Sequence, residues 1–205
     1  QKSKDHNIIV ISDECYSEIY RPSSKPPIGL FEWCEKNGEK KFSNCIVMNS
    51  LSKRSGLPGL RSGFIAGDEI LISAFSQYRS YQGVAMPLHV QKASAAAWED
   101  EKHVSQNRNY YTKNFRAANE ILGDLPFYTE SEAGFFIWLK IPVCDRKFAK
   151  KLYDTHKILV MPGTFLARES SDVNPGLNYI RIALVHDLEI CIQGLKKIKQ
   201  YLAKN

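Results

Sequence analysis

A lysine set among small residues between two short apolar runs constrains this chain more than any other feature. Residues 49–67 read NSLSKRSGLPGLRSGFIAG. Before them, Cys45-Ile46-Val47-Met48 has the character of a buried strand. The loop then carries Ser50, Ser52 and Lys53, passes Pro58-Gly59 and reaches Arg61. A second run, Phe64-Ile65-Ala66, follows and is closed by Gly67. Small residues let a backbone come close to a ligand. Serine hydroxyls can donate to phosphate oxygens, and the planar fork of Arg61 matches a phosphate. Lys53 is then available as an amine nucleophile toward a carbonyl. The competing reading is a solvated lysine in a chance loop, and the rest of the chain must decide.

Residues 7–11, NIIVI, form a continuous apolar run rich in β-branched residues, which predicts a buried parallel strand. It leads into Ser12-Asp13-Glu14-Cys15-Tyr16. Ligand sites in open α/β sheets lie at the carboxyl ends of strands, so Asp13 and Tyr16 are well placed for function. The competing reading of Asp13 is a turn or helix N-cap residue.

Ser50-x-x-Lys53, followed eight residues later by Arg61, resembles the lysine segment of the class I/II aminotransferases, fold-type I enzymes that use pyridoxal phosphate. The run SLSKRSGLPGLRSGF, with SDECYSEIY upstream and YRSYQG downstream, looks most like the N-succinyl-diaminopimelate aminotransferases of bacterial lysine biosynthesis. The resemblance implies an α/β fold. Residues 1–99 would be the C-terminal part of the cofactor-binding large domain, and residues 100–205 a small α+β C-terminal domain. It makes Lys53 the catalytic, cofactor-attaching lysine. Asp13 would face the pyridine nitrogen, and a carboxylate there keeps the ring protonated and a better electron sink. Tyr16 would bond the ring's phenolic oxygen. Ser50, Ser52 and Arg61 would hold the phosphate, with Ser52 the less direct carry-over. Arg181, in the run YIRIALV, would bind the substrate α-carboxylate. The resemblance further implies glutamate as amino donor, N-succinyl-2-amino-6-oxopimelate as partner substrate, a cytoplasmic homodimer, and no metal. Both substrates are polyanions, so a second cation is expected, with Arg54 and Arg79 as candidates. The segment Tyr78, Arg79, Tyr81 and Gln82 would reach the active site across the dimer interface; plain surface packing of tyrosines is the alternative. Another aminotransferase or lyase on the same fold, or a non-catalytic regulator with an aminotransferase-like domain, shares the same core residues.

The chain begins at Gln1 rather than Met. On the resemblance it corresponds to roughly the C-terminal half of a full enzyme. The other half would supply a phosphate-binding helix N-terminus, a ring stacked on the cofactor and an asparagine at the ring oxygen. The segment alone is therefore expected to bind cofactor poorly and not to turn over.

Composition narrows the alternatives. With 43% hydrophobic and 24% charged residues among 205, the chain has an ordinary globular make-up. The net charge of +6 could signal nucleic acid. The basic residues are dispersed, however, and the densest group, Lys196, Lys197 and Lys199, falls on the polar face of an amphipathic run. An anionic small-molecule substrate is the better expectation. The five cysteines are odd in number, scattered and without a CxxC pair, which reads as reduced thiols rather than a disulfide framework or zinc site. No apolar run approaches the ~20 residues of a membrane span, and no signal peptide is visible.

Further elements follow from periodicity and punctuation. Residues 18–41 read as a Pro-rich loop with a short helix near 31–36. Asp68 is an N-cap for a helix over 69–79. Pro87 suits the first turn of a helix covering 90–98, and Glu99-Asp100-Glu101 marks a break. Val104, Arg108, Tyr111, Phe115, Ala118 and Leu122 recur at helical spacing and predict a core stripe. Strands are expected at 135–141, 158–161 and 179–185. Asp145 and Asp187 are expected to cap helices reaching Tyr153 and the C-terminus, the last with Leu188, Cys191, Leu195, Ile198 and Leu202 on its apolar face. Pro162-Gly163 resembles the family loop that precedes the substrate site, though a plain turn explains it equally. Arg181 lies inside an apolar strand, where an unpaired charge is costly. It either meets an anion or points to solvent.

Overall fold

The two apolar runs around the lysine loop are strands of one sheet. The computed structural model describes residues 2–83 and 85–204, with the side chain of Lys4 outside the description. It divides into two compact units, Gln1–Arg108 and Asn109–Asn205.

In the first unit a single helical turn, α1 (Lys2–Asp5), precedes β1 (Val10–Asp13). After α2 (Leu30–Lys36) come β2 (Cys45–Ser50), α3 (Leu51–Arg54) and β3 (Gly63–Gly67). The strand order is β1-β2-β3, with β2 in the centre. β1 runs parallel to it, Val10 opposite Cys45 and Asp13 opposite Met48. β3 runs antiparallel, Ile46 opposite Gly67 and Ser50 opposite Gly63. Gly67 has φ +149°, and a Cβ there would lie 2.0 Å from the Cys45 carbonyl oxygen, so only glycine lets the two strands meet. α4 (Glu69–Ser80) begins where expected, Asp68 accepting from the Ile70 and Leu71 N–H groups. α5 (Leu88–Glu99) has Pro87 at its N-cap, one position before the first turn. α6 (Lys102–Leu122) follows the break, with Asp100 accepting from Lys102 N–H at 2.9 Å.

The expected strand at 7–11 is displaced. The ladder covers Val10–Asp13, and Ile8, Ile9 and Ile11 are each about half exposed. The run is parallel to its neighbour as expected but forms the edge of this sheet, so its apolar character is not matched by burial among the described residues.

The second unit begins within α6. Its sheet contains β4 (Phe136–Lys140), β5 (Met161–Pro162) and β6 (Tyr179–Ala183), in the order β4-β6-β5, all antiparallel. α7 (Asp145–His156) and α8 (Leu188–Leu202) complete it. The period-2 pattern of the strands puts Ile137, Leu139, Ile180 and Ile182 into the core with Phe115, Ala118 and Leu122 of α6, Phe148 and Leu152 of α7, and Leu195 and Ile198 of α8. Of the stripe read from the sequence, Phe115, Ala118 and Leu122 enter this core; Val104 is buried in the first unit, Tyr111 stacks on Phe135, and Arg108 is an ion-pairing residue instead. Its guanidinium bonds the Glu18 carboxylate at 2.7 Å and lies over the Tyr20 ring.

Two expectations here are corrected. The run 158–161 pairs only at its end: Met161 meets Arg181 and Pro162 meets Ile180, because the left-handed Lys157 ends α7 immediately before. Asp145 is the first residue of α7 rather than its cap, the N-cap position falling on Cys144. The Asp145 carboxylate is fully buried and accepts from Thr164 N–H at 3.0 Å and Thr164 Oγ1 at 2.7 Å. Burial pushes this carboxyl up, but the Thr164 backbone and hydroxyl bonds, together with the Asp145 and Arg146 backbone N–H groups, outweigh it and leave the group below its ordinary value. A depressed folded pKa contributes stability above the unfolded value of 3.8, and that stability is lost as pH falls through the folded value. Thr164→Val removes the hydroxyl bond and keeps the backbone one. It is expected to cost about 1–3 kcal/mol in urea unfolding at pH 7, with the difference shrinking as the buffer is taken below pH 3.8. An equal cost at both ends of that range would contradict the assignment.

Candidate active site

The lysine loop is closed by backbone bonds before any side chain is considered. β2 ends at Ser50, whose partner Gly63 lies thirteen positions on. Leu51 N–H donates to Ser62 O at 3.1 Å, and Leu57 N–H to Leu51 O at 3.2 Å. The intervening residues thus fold into α3 and one 3-10 turn, Pro58–Leu60. Arg61 leaves that turn in the left-handed conformation at φ 52°, a strained choice for a side-chain-bearing residue, and its Nη1 donates to Pro58 O at 3.0 Å. This brings exposed Arg61 back beside the strand end that carries Ser50.

Parallel pairing of β1 with β2 puts Asp13 and Tyr16 at the same end of the sheet as Ser50 and Lys53. The Lys53 Nζ sits 6.0 Å from the centre of the Tyr16 ring. Ser50 Oγ donates to Cys15 Sγ at 3.4 Å, and Cys15 N–H donates to Asp13 Oδ1 at 3.1 Å. Cys15, through its thiol and its backbone N–H, holds the Asp13 carboxyl below its usual range. Burial in turn pushes the Cys15 thiol up, so it remains protonated beside an ionised carboxylate. Ser52 lies on the single turn of α3, half-buried. Asp13, Tyr16, Ser50, Ser52, Lys53 and Arg61 therefore all belong to the first unit, around one sheet end.

Cys15 is a linking residue that motif reading passed over. Its position two after Asp13 was the available signal. Asn107 is another: its Nδ2 donates to Lys53 O at 3.0 Å and Arg54 O at 3.1 Å, fixing the turn that presents Lys53. Nothing in its sequence setting marks it.

Arg54, an expected second cation for the substrate, has a different task. It is 5% exposed, donates to Ala97 O at 2.9 Å, pairs with the Glu101 carboxylate and stacks on the Trp98 ring. It ties the lysine turn to the C-terminal end of α5. Arg79 lies, with Arg61, Met48 and Phe64, along a cavity of about 420 Å³ in the same unit.

Arg181 belongs to the second unit. It pairs with Trp138 and Met161 across the sheet and stands on the face opposite the core, its guanidinium 4.3 Å from the centre of the Phe136 ring. Among the described residues it makes no ion pair. The expected anion is thus not a neighbour within its own sheet.

The family model for aminotransferases of class I and II matches residues 1–197. This chain belongs to that family. The curated relatives of this chain include a 4-dedimethylamino-4-oxo-anhydrotetracycline transaminase of Streptomyces rimosus, 34% identical over 88% of the chain and 48% of that protein. An LL-diaminopimelate aminotransferase of Maridesulfovibrio salexigens is 27% identical over 97% of the chain and 50% of its own length. An aminotransferase structure from Neisseria meningitidis superposes with TM-score 0.90 at 43% identity, covering 98% of this chain and 51% of that one. The fold is therefore that of the fold-type I aminotransferases. The chain spans about half the length of the relatives it matches.

The cofactor of this family is pyridoxal phosphate, and the residues present fit it. An ionised carboxylate, a phenol and an amine lie around one strand end, with a hydroxyl and an arginine on the loop that closes there. That donor set suits a phosphorylated pyridinium aldehyde.

The Arg54 contacts carry their own test. Arg54→Ala is expected to cost about 2–3 kcal/mol in denaturant unfolding, because charged hydrogen bonds to buried carbonyls are lost. Arg54→Lys should restore little of it, since an ammonium cannot reproduce the planar fork or the stacking on Trp98. Full rescue by lysine would show the site to need only a charge.

Proposed function

We propose that the full protein is a pyridoxal phosphate-dependent aminotransferase, with residues 1–99 in its cofactor-binding domain and 100–205 forming its small domain. The observation that carries this reading is the gathering of Lys53, Asp13 and Tyr16 at one strand end on the loop closed by Ser50 and Arg61. Bound there, the cofactor supplies an electron sink for the carbanion formed at the substrate Cα.

The chain's own residues have separable tasks. Lys53 is the attachment point for the cofactor. When not engaged in that attachment, its amine would be the base that takes a proton from the substrate Cα. Asp13, kept ionised by Cys15, holds the ring nitrogen protonated. Tyr16 donates to the ring oxygen. Ser50, Ser52 and Arg61 take the phosphate. Arg181 takes the substrate α-carboxylate in a bidentate bridge; its stacking on Phe136 presents the guanidinium without occupying its N–H groups.

Glutamate as donor and N-succinyl-2-amino-6-oxopimelate as partner are the finer reading, in a cytoplasmic homodimer whose Tyr78–Gln82 segment reaches the partner's site. The resemblance of the lysine run supports the pair, and several relatives are named as LL-diaminopimelate aminotransferases. Among the described residues no helix is long and apolar enough to cross a membrane.

Steady-state assays of the full-length protein test the proposal. Glutamate with the succinylated aldehyde should give the highest kcat/KM in a panel that also contains aspartate, aromatic and branched-chain donors. Arg181→Met should lower kcat/KM for every donor about a hundredfold or more, the effect of losing a bidentate charged contact. Turnover indifferent to Arg181, or none with any donor, would overturn the assignment.

A further inference from the structure

Two thiols outside the lysine site face each other. Cys34 on α2 and Cys45 at the head of β2 are both buried, with their sulfurs 3.8 Å apart. Among the described residues no other two cysteine sulfurs come within hydrogen-bonding distance. Cys15 is engaged by Ser50, and Cys191 Sγ lies 3.1 Å from the His186 carbonyl oxygen. The pair lines a cavity of about 410 Å³ together with Ser3, Trp33, Asn37 and Glu39, which gives a small reagent a route to otherwise buried sulfur.

We infer that Cys34 and Cys45 form an oxidation site, a dithiol that closes to an intramolecular disulfide on meeting a two-electron oxidant of the peroxide class. The steps balance. One thiolate attacks the peroxide oxygen; its S–O bond forms, the O–O bond breaks, and hydroxide leaves. The second thiol then attacks the sulfenic sulfur; the S–S bond forms, the S–O bond breaks, and water departs with the thiol proton. Each sulfur is oxidised by one electron, and the peroxide is reduced to two waters. A disulfide needs about 2.05 Å between sulfurs, so the gap must close by somewhat under 2 Å. Cys45 cannot supply that movement through its backbone. It is paired with Val10 on one side, its carbonyl accepts from Asp68 N–H at 2.9 Å, and Gly67 is packed against it. Closure therefore falls on the Cys34 side chain and α2.

The position gives the bond a consequence. The N-terminal end of α2 is held by Glu14, which accepts from Leu30 N–H at 2.8 Å and from Ser12 Oγ at 3.0 Å. Glu14 follows Asp13 directly. A Cys34–Cys45 bond would join the helix anchored beside Asp13 to the strand that runs into the Lys53 turn.

The intact protein is treated with hydrogen peroxide, denatured, alkylated and mapped by mass spectrometry. The expected result is loss of two alkylatable thiols per chain, a cross-linked peptide containing Cys34 and Cys45, and return of both thiols with dithiothreitol. Cys34→Ser should remove the cross-link and leave Cys45 alkylatable. Should that variant fail to fold, the map of the unsubstituted protein decides alone. Cys34 and Cys45 both still alkylatable after peroxide, both carrying sulfinic acid, or either joined to another cysteine, would each overturn the inference.

Discussion

The antiparallel pairing of β2 with β3 is the constraint on which the site depends. Ser50 opposite Gly63, with the Leu51 N–H on Ser62 O, forces the residues between to close a compact loop at one strand end. That closure turns a lysine and an arginine eight positions apart into neighbours of one place. Parallel pairing of β1 then delivers Asp13 and Tyr16 to the same end. Each pairing is made of backbone hydrogen bonds and tolerates no slip, because a shift of one residue would turn every side chain to the other face.

Arg54, Arg61 and Arg181 show how far position decides the use of one side-chain type. Arg54, one residue after Lys53, is buried and structural, joined to carbonyls of α5 and to Glu101. Arg61 is exposed on a strained turn, available to an anion at the strand end. Arg181 rests on an aromatic face in the other unit, away from the buried layer of its strand. A buried guanidinium requires fixed acceptors, and α5 supplies them to Arg54.

Much of this was legible in the sequence because it rests on local rules. The apolar runs bounded by Ser, Gly and Pro located β2 and β3, Asp68 announced α4, and the 3.6-residue stripe located α6 and, from Phe115 to Leu122, its core face. The site motif was legible because its members are close along the chain. What escaped was set by tertiary partners. Arg54 and Arg61 look alike in the sequence, and only packing against Trp98 separates them. Asn107 and Cys15 act on residues 54 and 35 positions away, across contacts no local pattern records. Asp145 read as a cap because helix starts favour aspartate, yet its carboxylate turned to Thr164, nineteen residues on. The head of β1 read as buried from its composition, whereas burial depends on what lies beside and above it.

Everything proposed for the site turns on Lys53 being the residue joined to the cofactor. Borohydride reduction of the full-length protein with pyridoxal phosphate, followed by peptide mapping, tests it most directly. A phosphopyridoxyl group on Lys53, abolished in Lys53→Ala, is the expected result. Labelling at another lysine, or label that persists in Lys53→Ala, would contradict it.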